Sequence, residues 1–111
     1  MSNEVPGPDG NIRPVMFVGA PIAITDYSGT VTTGGTAQTA RAANVNRRFL
    51  LIGNPDTTTD LFFSFSGTAT TGAGSIRLPA GAGVIFDAQT PTGAVSVLSA
   101  TTGKAFTVQE G

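Results

Sequence analysis

The feature that most constrains this chain is residues 47–66, RRFLLIGNPDTTTDLFFSFS, which hold its two most apolar segments. The Asn-Pro-Asp sequence between them, followed by three threonines, has the composition of a turn and loop. In the second segment Leu61, Phe63 and Phe65 alternate with Phe62 and Ser64, which is the period of a strand with one buried face. The pattern predicts two strands joined as a β-hairpin.

The first of these segments, residues 48–53, is apolar on both sides. Phe49 and Leu51 would point to one side of a strand, and Leu50 and Ile52 to the other. Such a strand needs cover on both faces. We expect that cover to come from a second sheet or from another copy of the protein.

Short strand patterns recur through the rest of the chain about every ten residues, with turn residues between them. They cover residues 76–78, 84–87, 94–99 and 105–109. Residues 29–43 alternate small and polar side chains around a Gly-Gly pair, which favours a thin exterior hairpin. A helical turn over residues 38–45 is the other interpretation, but it has no cap, so we prefer a strand. The expected fold is all-β, an antiparallel β-sandwich or small barrel of jelly-roll-like form.

The amino-terminal residues 1–14 contain three prolines and two glycines, which predicts an extended arm. Such an arm either frays or becomes ordered on a partner. Residues 15–18 and 20–24 are short apolar pieces separated by Gly19 and broken by Pro21, as edge strands tolerate. A chain of 111 residues suffices for one modest core, so we expect residues 15–111 to form a single β domain.

The composition excludes several classes of function. The chain has no histidine and no cysteine, which excludes Ser-His and Cys-His nucleophiles and the usual zinc ligands. Six cations and a net charge of −1 supply no basic stripe for a nucleic acid. No apolar run approaches the ~18 residues of a membrane span, and the first residues do not read as a secretion signal, so we expect synthesis in the cytoplasm.

The remaining candidate sites for chemistry are weak. Oxygen atoms of Asn54, Asp56 and Asp60 could hold calcium, but an Asx-type turn explains the first two equally well. A glycosidase needs a pair of acids, and by elimination the candidates are Asp26, Asp60 and Asp87. The glycines at 72–74, 81–83 and 103 lack the spacing of phosphate loops, so we interpret them as turns. We therefore predict no enzyme activity, no metal and no cofactor.

Residues 48–78, RFLLIGNPDTTTDLFFSFSGTATTGAGSIRL, followed by PAGAGVIFD, carry a resemblance. They resemble small structural proteins of tailed bacteriophages, in which a basic residue and an aliphatic strand lead to an Asn-Pro turn. A Phe-rich strand ending in Ser-Gly, a Gly/Ala/Thr loop and a short strand with a Pro/Gly turn then follow. The resemblance covers residues 48–87. It implies a virion accessory protein, such as a decoration or cement protein of the head, without catalytic residues.

These observations lead to one main hypothesis and one alternative. The main hypothesis is a virion structural protein that binds the major capsid protein or another virion protein as a homo-oligomer, with a trimer favoured. Its candidate interface consists of Arg47, Arg48, Leu50 and Phe62, although the two arginines could instead guard a strand edge. The alternative is a carbohydrate-binding or adhesin-type module for host attachment, which the single tyrosine, Tyr27, and the absence of tryptophan disfavour.

Overall fold

The structure is a computed structural model, and it describes residues 21–111. Within this range the regular secondary structure is entirely β, and no helix is long and apolar enough to cross a membrane. The strands are β1 (Thr25–Asp26), β2 (Gly29–Thr30), β3 (Gln38–Arg41), β4 (Leu50–Gly53), β5 (Leu61–Ser64), β6 (Ile76–Leu78), β7 (Gly83–Phe86), β8 (Val95–Leu98) and β9 (Ala105–Glu110).

The strands form two antiparallel sheets. In the first sheet β1 and β2 both pair with β9, and β4 and β7 follow; the second sheet has the order β3-β8-β5-β6. Strands β1 and β2 are one interrupted edge strand, because the Tyr27 N–H donates to the Val108 carbonyl and the Ser28 hydroxyl accepts the Val108 N–H. The pairing is then nested: the first strand pairs with the last, β3 with β8, β4 with β7 and β5 with β6. This is the strand order of an eight-stranded jelly roll, so the predicted all-β sandwich is confirmed.

The core lies between the two sheets. Leu50, Ile52 and Val108 project from the first sheet against Leu61 and Phe63 of the second, and all five are essentially inaccessible to solvent. Complete burial of a side chain of this size is worth roughly 1.5 to 3 kcal/mol, so these contacts are the main source of stability. The alternation predicted for β5 is confirmed, since its inward residues are the ones that reach the core.

Aromatic rings join the two sheets at one side of this core. The ring of Phe65 lies 5.2 Å from that of Phe63 and 5.1 Å from that of Phe86, measured between centroids. The contact with Phe86 is edge to face, which is a favoured geometry for aromatic pairs. Phe65 follows β5 in the second sheet, and Phe86 ends β7 in the first, so the cluster ties the sheets together.

The predicted hairpin over residues 47–66 is wrong. Both strands exist, but β4 pairs with β7 and β9, while β5 pairs with β6 and β8 in the opposite sheet. The seven residues 54–60 between them cross the end of the sandwich instead of forming the two-residue turn of a tight hairpin. This arrangement is favoured because it packs Leu50 and Ile52 against Leu61 and Phe63, which a flat hairpin would leave side by side.

The exterior hairpin predicted within residues 29–43 is wrong for the same reason. Strand β2 pairs with β9 in the first sheet, and β3 pairs with β8 in the second. The preference for a strand over a helical turn is confirmed at Gln38–Arg41. The predicted arm, residues 1–14, and the apolar piece at residues 15–18 lie outside the described residues.

Candidate interaction surface

The four residues predicted to form an interface occupy different environments. Leu50 is fully buried in the core, and Arg47 is buried at one end of the sandwich. Neither side chain is therefore available on the surface of this chain. Arg48 is exposed, and Phe62 is half-buried on the outward side of the second sheet. Only these two stay candidates for contact with a partner.

Arg47 is held by acceptors from its own chain. Its guanidinium donates to the carbonyl oxygens of Pro91, Gly93 and Ala42 at 2.7, 2.9 and 3.0 Å. Its Nε lies 2.7 Å from a carboxylate oxygen of Glu110, the last residue of β9. Arg47 thus connects the loops before β4 and before β8 to the end of β9 through hydrogen bonds and an ion pair.

Glu110 is the acceptor at the centre of this cluster. Its carboxylate also accepts from Arg41 Nη2 and from Asn44 Nδ2, each at 2.9 Å. Burial by itself would raise the pKa of Glu110, but the hydrogen bonds from Arg41, Arg47 and Asn44 outweigh burial and lower the pKa to about 2. Arg41 also stacks on Tyr27, with its Cζ 4.0 Å from the ring centroid. The cluster of Arg41, Asn44, Arg47 and Glu110 therefore pairs its charges within the chain and has a structural role.

The outward side of the second sheet is partly covered by the chain itself. The loop of residues 67–75, between β5 and β6, folds back over it, and the Ala69 N–H donates to the Ser96 hydroxyl at 2.9 Å. As a result Ala69, Leu98 and Ser64 are buried although the last two point away from the core. Phe62, which pairs with Leu98 and with Arg77, is left half-exposed beside this loop.

The outward side of the first sheet carries a separate apolar patch. Leu51 pairs with Ile85, and Phe49 exchanges two backbone hydrogen bonds with Gly111, so their side chains share the outer face. Ile22 and Ile24 lie over Gly111 on the same face. We call Ile22, Ile24, Phe49, Leu51 and Ile85 the outer patch. Ile24 is 46% exposed and Ile85 is 56% exposed, so the patch is accessible to solvent on both sides of β4 and β9.

The loop proposed as a calcium site is organised by its own hydrogen bonds. One carboxylate oxygen of Asp56 accepts from the backbone N–H groups of Thr58 and Thr59, and these bonds lower the pKa of Asp56. Its other oxygen lies 3.3 Å from the ammonium of Lys104. The Asx-type turn is thus the correct interpretation of Asp56. Among residues 21–111 no group of three acidic side chains is arranged to hold a metal ion.

Asn54 begins this loop, and from the sequence it was considered only as a calcium ligand or as an Asx-type turn residue. Its side-chain nitrogen donates to the carbonyl oxygens of Thr59 and Leu78, at 2.8 and 2.9 Å, and the residue is almost completely buried. Its backbone N–H and C=O bond to Ala82 and Gly81. Asn54 therefore joins the β4–β5 loop to the β6–β7 turn.

The three acids considered for glycosidase chemistry do not come together as a pair in one site. Asp26, in β1, accepts a hydrogen bond from Ser28. Asp60, just before β5, is paired with Arg77 of β6. Asp87 follows β7 and is exposed. Among the glycines interpreted as turns, Gly74, Gly81 and Gly103 have positive φ angles of 92°, 80° and 84°. That conformation is one that glycine adopts readily and that tight turns require.

Comparison with known proteins returned no relative. No family model, no curated protein and no solved structure matches this chain.

Proposed function

We propose that this protein is a virion structural protein of a tailed bacteriophage, a decoration or cement protein that binds the surface of the head as a homo-oligomer. The observation that carries the proposal is the nested strand order of a jelly roll. Jelly rolls recur among viral capsid proteins. The resemblance of residues 48–87 to phage structural proteins favours the same assignment.

The acidic side chains support a role in assembly over a role in chemistry. Asp56, Asp60 and Glu110 accept hydrogen bonds or ion pairs within the chain. A hydrolase acid or base needs access to a substrate and a partner group across a cleft. These three carboxylates instead hold loops and strand ends in place. Their arrangement favours a protein that functions by binding other molecules through its surface.

Phe62 and Arg48 are the residues that we assign to contact with the head or with another subunit. Phe62 presents a half-exposed aromatic ring beside Arg77 and the loop of residues 67–75. Aromatic and arginine side chains are enriched at the centres of protein interfaces. Leu50 and Arg47 are omitted from this interface, because both are buried within the subunit.

Carbohydrate binding is the rival function, since lectins also use jelly rolls. Sugar rings usually stack on exposed aromatic side chains. Tyr27 is occupied by the guanidinium of Arg41. A groove of about 590 Å³ beside the loop of residues 67–75 is lined by glycine, alanine, threonine and leucine side chains, with no aromatic residue among them. These features make the rival the weaker proposal.

The test is made on phage particles whose genome encodes this chain. We expect mass spectrometry to find the protein in purified particles and electron cryomicroscopy to show it on the outside of the head. Heads that lack it should release DNA at a lower temperature, and added protein should restore the wild-type temperature. Add-back of Phe62→Asp should fail, whereas add-back of Thr101→Asp, altered in an exposed loop, should succeed.

Two results would contradict the proposal. One is the absence of the protein from purified particles. The other is specific binding of the isolated protein to a glycan array, lost in variants of the groove beside residues 67–75, which would establish the rival function instead.

A further inference from the structure

Strand β7 forms one edge of the first sheet. It pairs with β4 on one side, and no strand within residues 21–111 pairs with its other side. Two of its residues are exposed, namely Gly83 and Ile85, and Ile85 belongs to the outer patch. An edge of this kind presents backbone donors and acceptors to which another strand can bind.

The hydrogen bonds of β4 show which backbone groups of β7 point outward. Phe49 exchanges two backbone hydrogen bonds with Gly111, on the β9 side of β4. By alternation the next residue, Leu50, bonds on the opposite side, to its partner Phe86 in β7. Residues of β7 in phase with Phe86 therefore bond to β4. The N–H and C=O groups of Ile85, and of the residue two positions before it, point away from β4.

The other three edges of the sandwich each carry a feature that hinders pairing with a further strand. Strand β3 has a register shift between Thr39 and Arg41, β6 is three residues long and contains the exposed Arg77, and the edge formed by β1 and β2 is interrupted. Bulges, charges and short strands are the usual protection of sheet edges. Strand β7 has the sequence Gly-Val-Ile-Phe, without charge or proline, and an unbroken register against β4. Among residues 21–111 it is thus the edge best suited to accept a strand.

We propose that β7 pairs antiparallel with β7 of a second copy of this chain, about a two-fold axis at Ile85. The first sheets of the two copies then join into one continuous sheet. Outward-pointing residues face each other in such a pair, so Ile85 lies opposite Ile85 and Gly83 lies opposite Asp87. The two outer patches come side by side, and each Ile85 covers the other. The two Asp87 carboxylates lie opposite glycines, so like charges do not meet directly across the strands.

The edge is complementary to itself, which favours a second copy as the partner. A two-fold contact requires a surface that matches itself, and an uncharged strand meets this condition without an opposite charge across the axis. The pairing adds at most about six backbone hydrogen bonds. The area is well below the roughly 800 Å² that each partner buries in a stable dimer. The contact is therefore weak in dilute solution and adds to the contact assigned to Phe62.

The absence of cysteine from the chain allows a direct test by disulfide trapping. In a hydrogen-bonded antiparallel pair the two Cα atoms lie about 5.5 Å apart, within the range of about 4.4 to 6.8 Å that a disulfide spans. Concentrated Ile85→Cys protein is oxidised mildly, and the disulfide dimer is measured over time. The matched controls are Ile76→Cys, 51% exposed on edge β6, and Thr39→Cys, exposed on edge β3. We expect Ile85→Cys to dimerise several-fold faster than either control.

A mixture of Gly83→Cys and Asp87→Cys proteins tests the register. We expect the mixed disulfide to form several-fold above the amount that random pairing of the two proteins gives. Circular dichroism checks that every variant keeps the fold.

Two results would overturn the proposal. One is an Ile85→Cys rate equal to the controls, which is also the result expected if another segment of the chain or a different protein occupies this edge. The other is a mixed disulfide at the random level. Because the test uses the isolated protein, its failure would leave the proposed binding to the phage head untouched, and absence of the protein from phage particles would leave the β7 pairing untouched.

Discussion

Glu110 occupies a position in β9 where the alternation calls for an apolar side chain. Phe106 and Val108 point into the core, and Glu110 continues the same face. The sequence contains this signal, since an acid in phase with two buried apolar residues requires an internal partner. The partners themselves could not be deduced, because Arg41 and Arg47 are distant in sequence and become neighbours only when the sandwich closes.

Glu110→Gln should destabilise the protein strongly. The change leaves Arg47, whose side chain has no solvent exposure, without its counter-charge, and breaking a buried pair in this way costs about 3 kcal/mol or more. The matched control is Asp60→Asn, which breaks an exposed pair with Arg77 and should change stability little. Urea unfolding at pH 7 measures both. Equal, small effects would mean that Arg47 is satisfied by carbonyl groups alone.

The same carboxylate should make stability depend on pH. The pKa of Glu110 falls from an ordinary value of 4.5 to about 2 on folding, so its contribution is fully present above pH 4.5 and is lost as the pH falls toward 2. Urea unfolding of the wild type should show a declining free energy of unfolding over this window. Glu110→Gln should show a shallower decline, and the pH dependence that is left should come from other acids such as Asp56. Parallel curves for the two proteins would contradict the assignment.

At the scale of elements, the positions of the strands were predictable and their partners were not. Apolar alternation located β5, β6, β8 and β9 closely, because each strand has one face in the core. Which strands pair depends instead on whether a loop returns the chain to the same sheet or carries it across to the other sheet. The loop of residues 54–60 has hairpin composition, but its buried Asn54 bonds to residue Leu78, which no local pattern reveals. Hence β4 and β5 were correctly found and wrongly joined.

Asn54→Ala should weaken the connection between these loops. It removes both side-chain hydrogen bonds and leaves the buried carbonyl of Leu78 without the donor that Asn54 supplies, at a cost of about 1 to 3 kcal/mol. The control is Asn46→Ala, at an exposed position, which should stay within about 0.5 kcal/mol of wild type. Thermal and urea unfolding provide the comparison. An Asn54→Ala protein as stable as the control would show that water replaces the amide without loss.

At the scale of the whole molecule, the sequence indicated the sandwich and the need for cover on two sides of β4. The second sheet covers Leu50 and Ile52, as one of the two expected solutions. The interface residues were harder to predict. Alternation shows which side chains of a strand share a face, but it does not show which of the two faces points into the core. Leu50 was therefore placed on the wrong side, while Phe62 was correctly placed opposite Phe63.

This distinction can be tested with two neighbouring substitutions. Phe63→Asp should unfold the chain, because it places an unpaired carboxylate in the core. Phe62→Asp should keep a β-type circular dichroism spectrum and convert the expected oligomer to a monomer, while Thr101→Asp keeps the wild-type mass. Light scattering and circular dichroism measure the three variants beside wild type. A monomeric wild type, or an unfolded Phe62→Asp, would remove the physical basis for assembly through Phe62.

The nested strand order also determines when the protein can fold. The edge strand near residue 25 pairs with Glu110, and among residues 21–111 strand β9 lies between that edge strand and β4. The first sheet therefore stays incomplete until β9 has left the ribosome, at a synthesis rate of about 5 to 20 residues per second. Pairings of such long range also make folding slow. Newly made chains thus pass through a period with open sheet edges, which can pair with the edges of other chains.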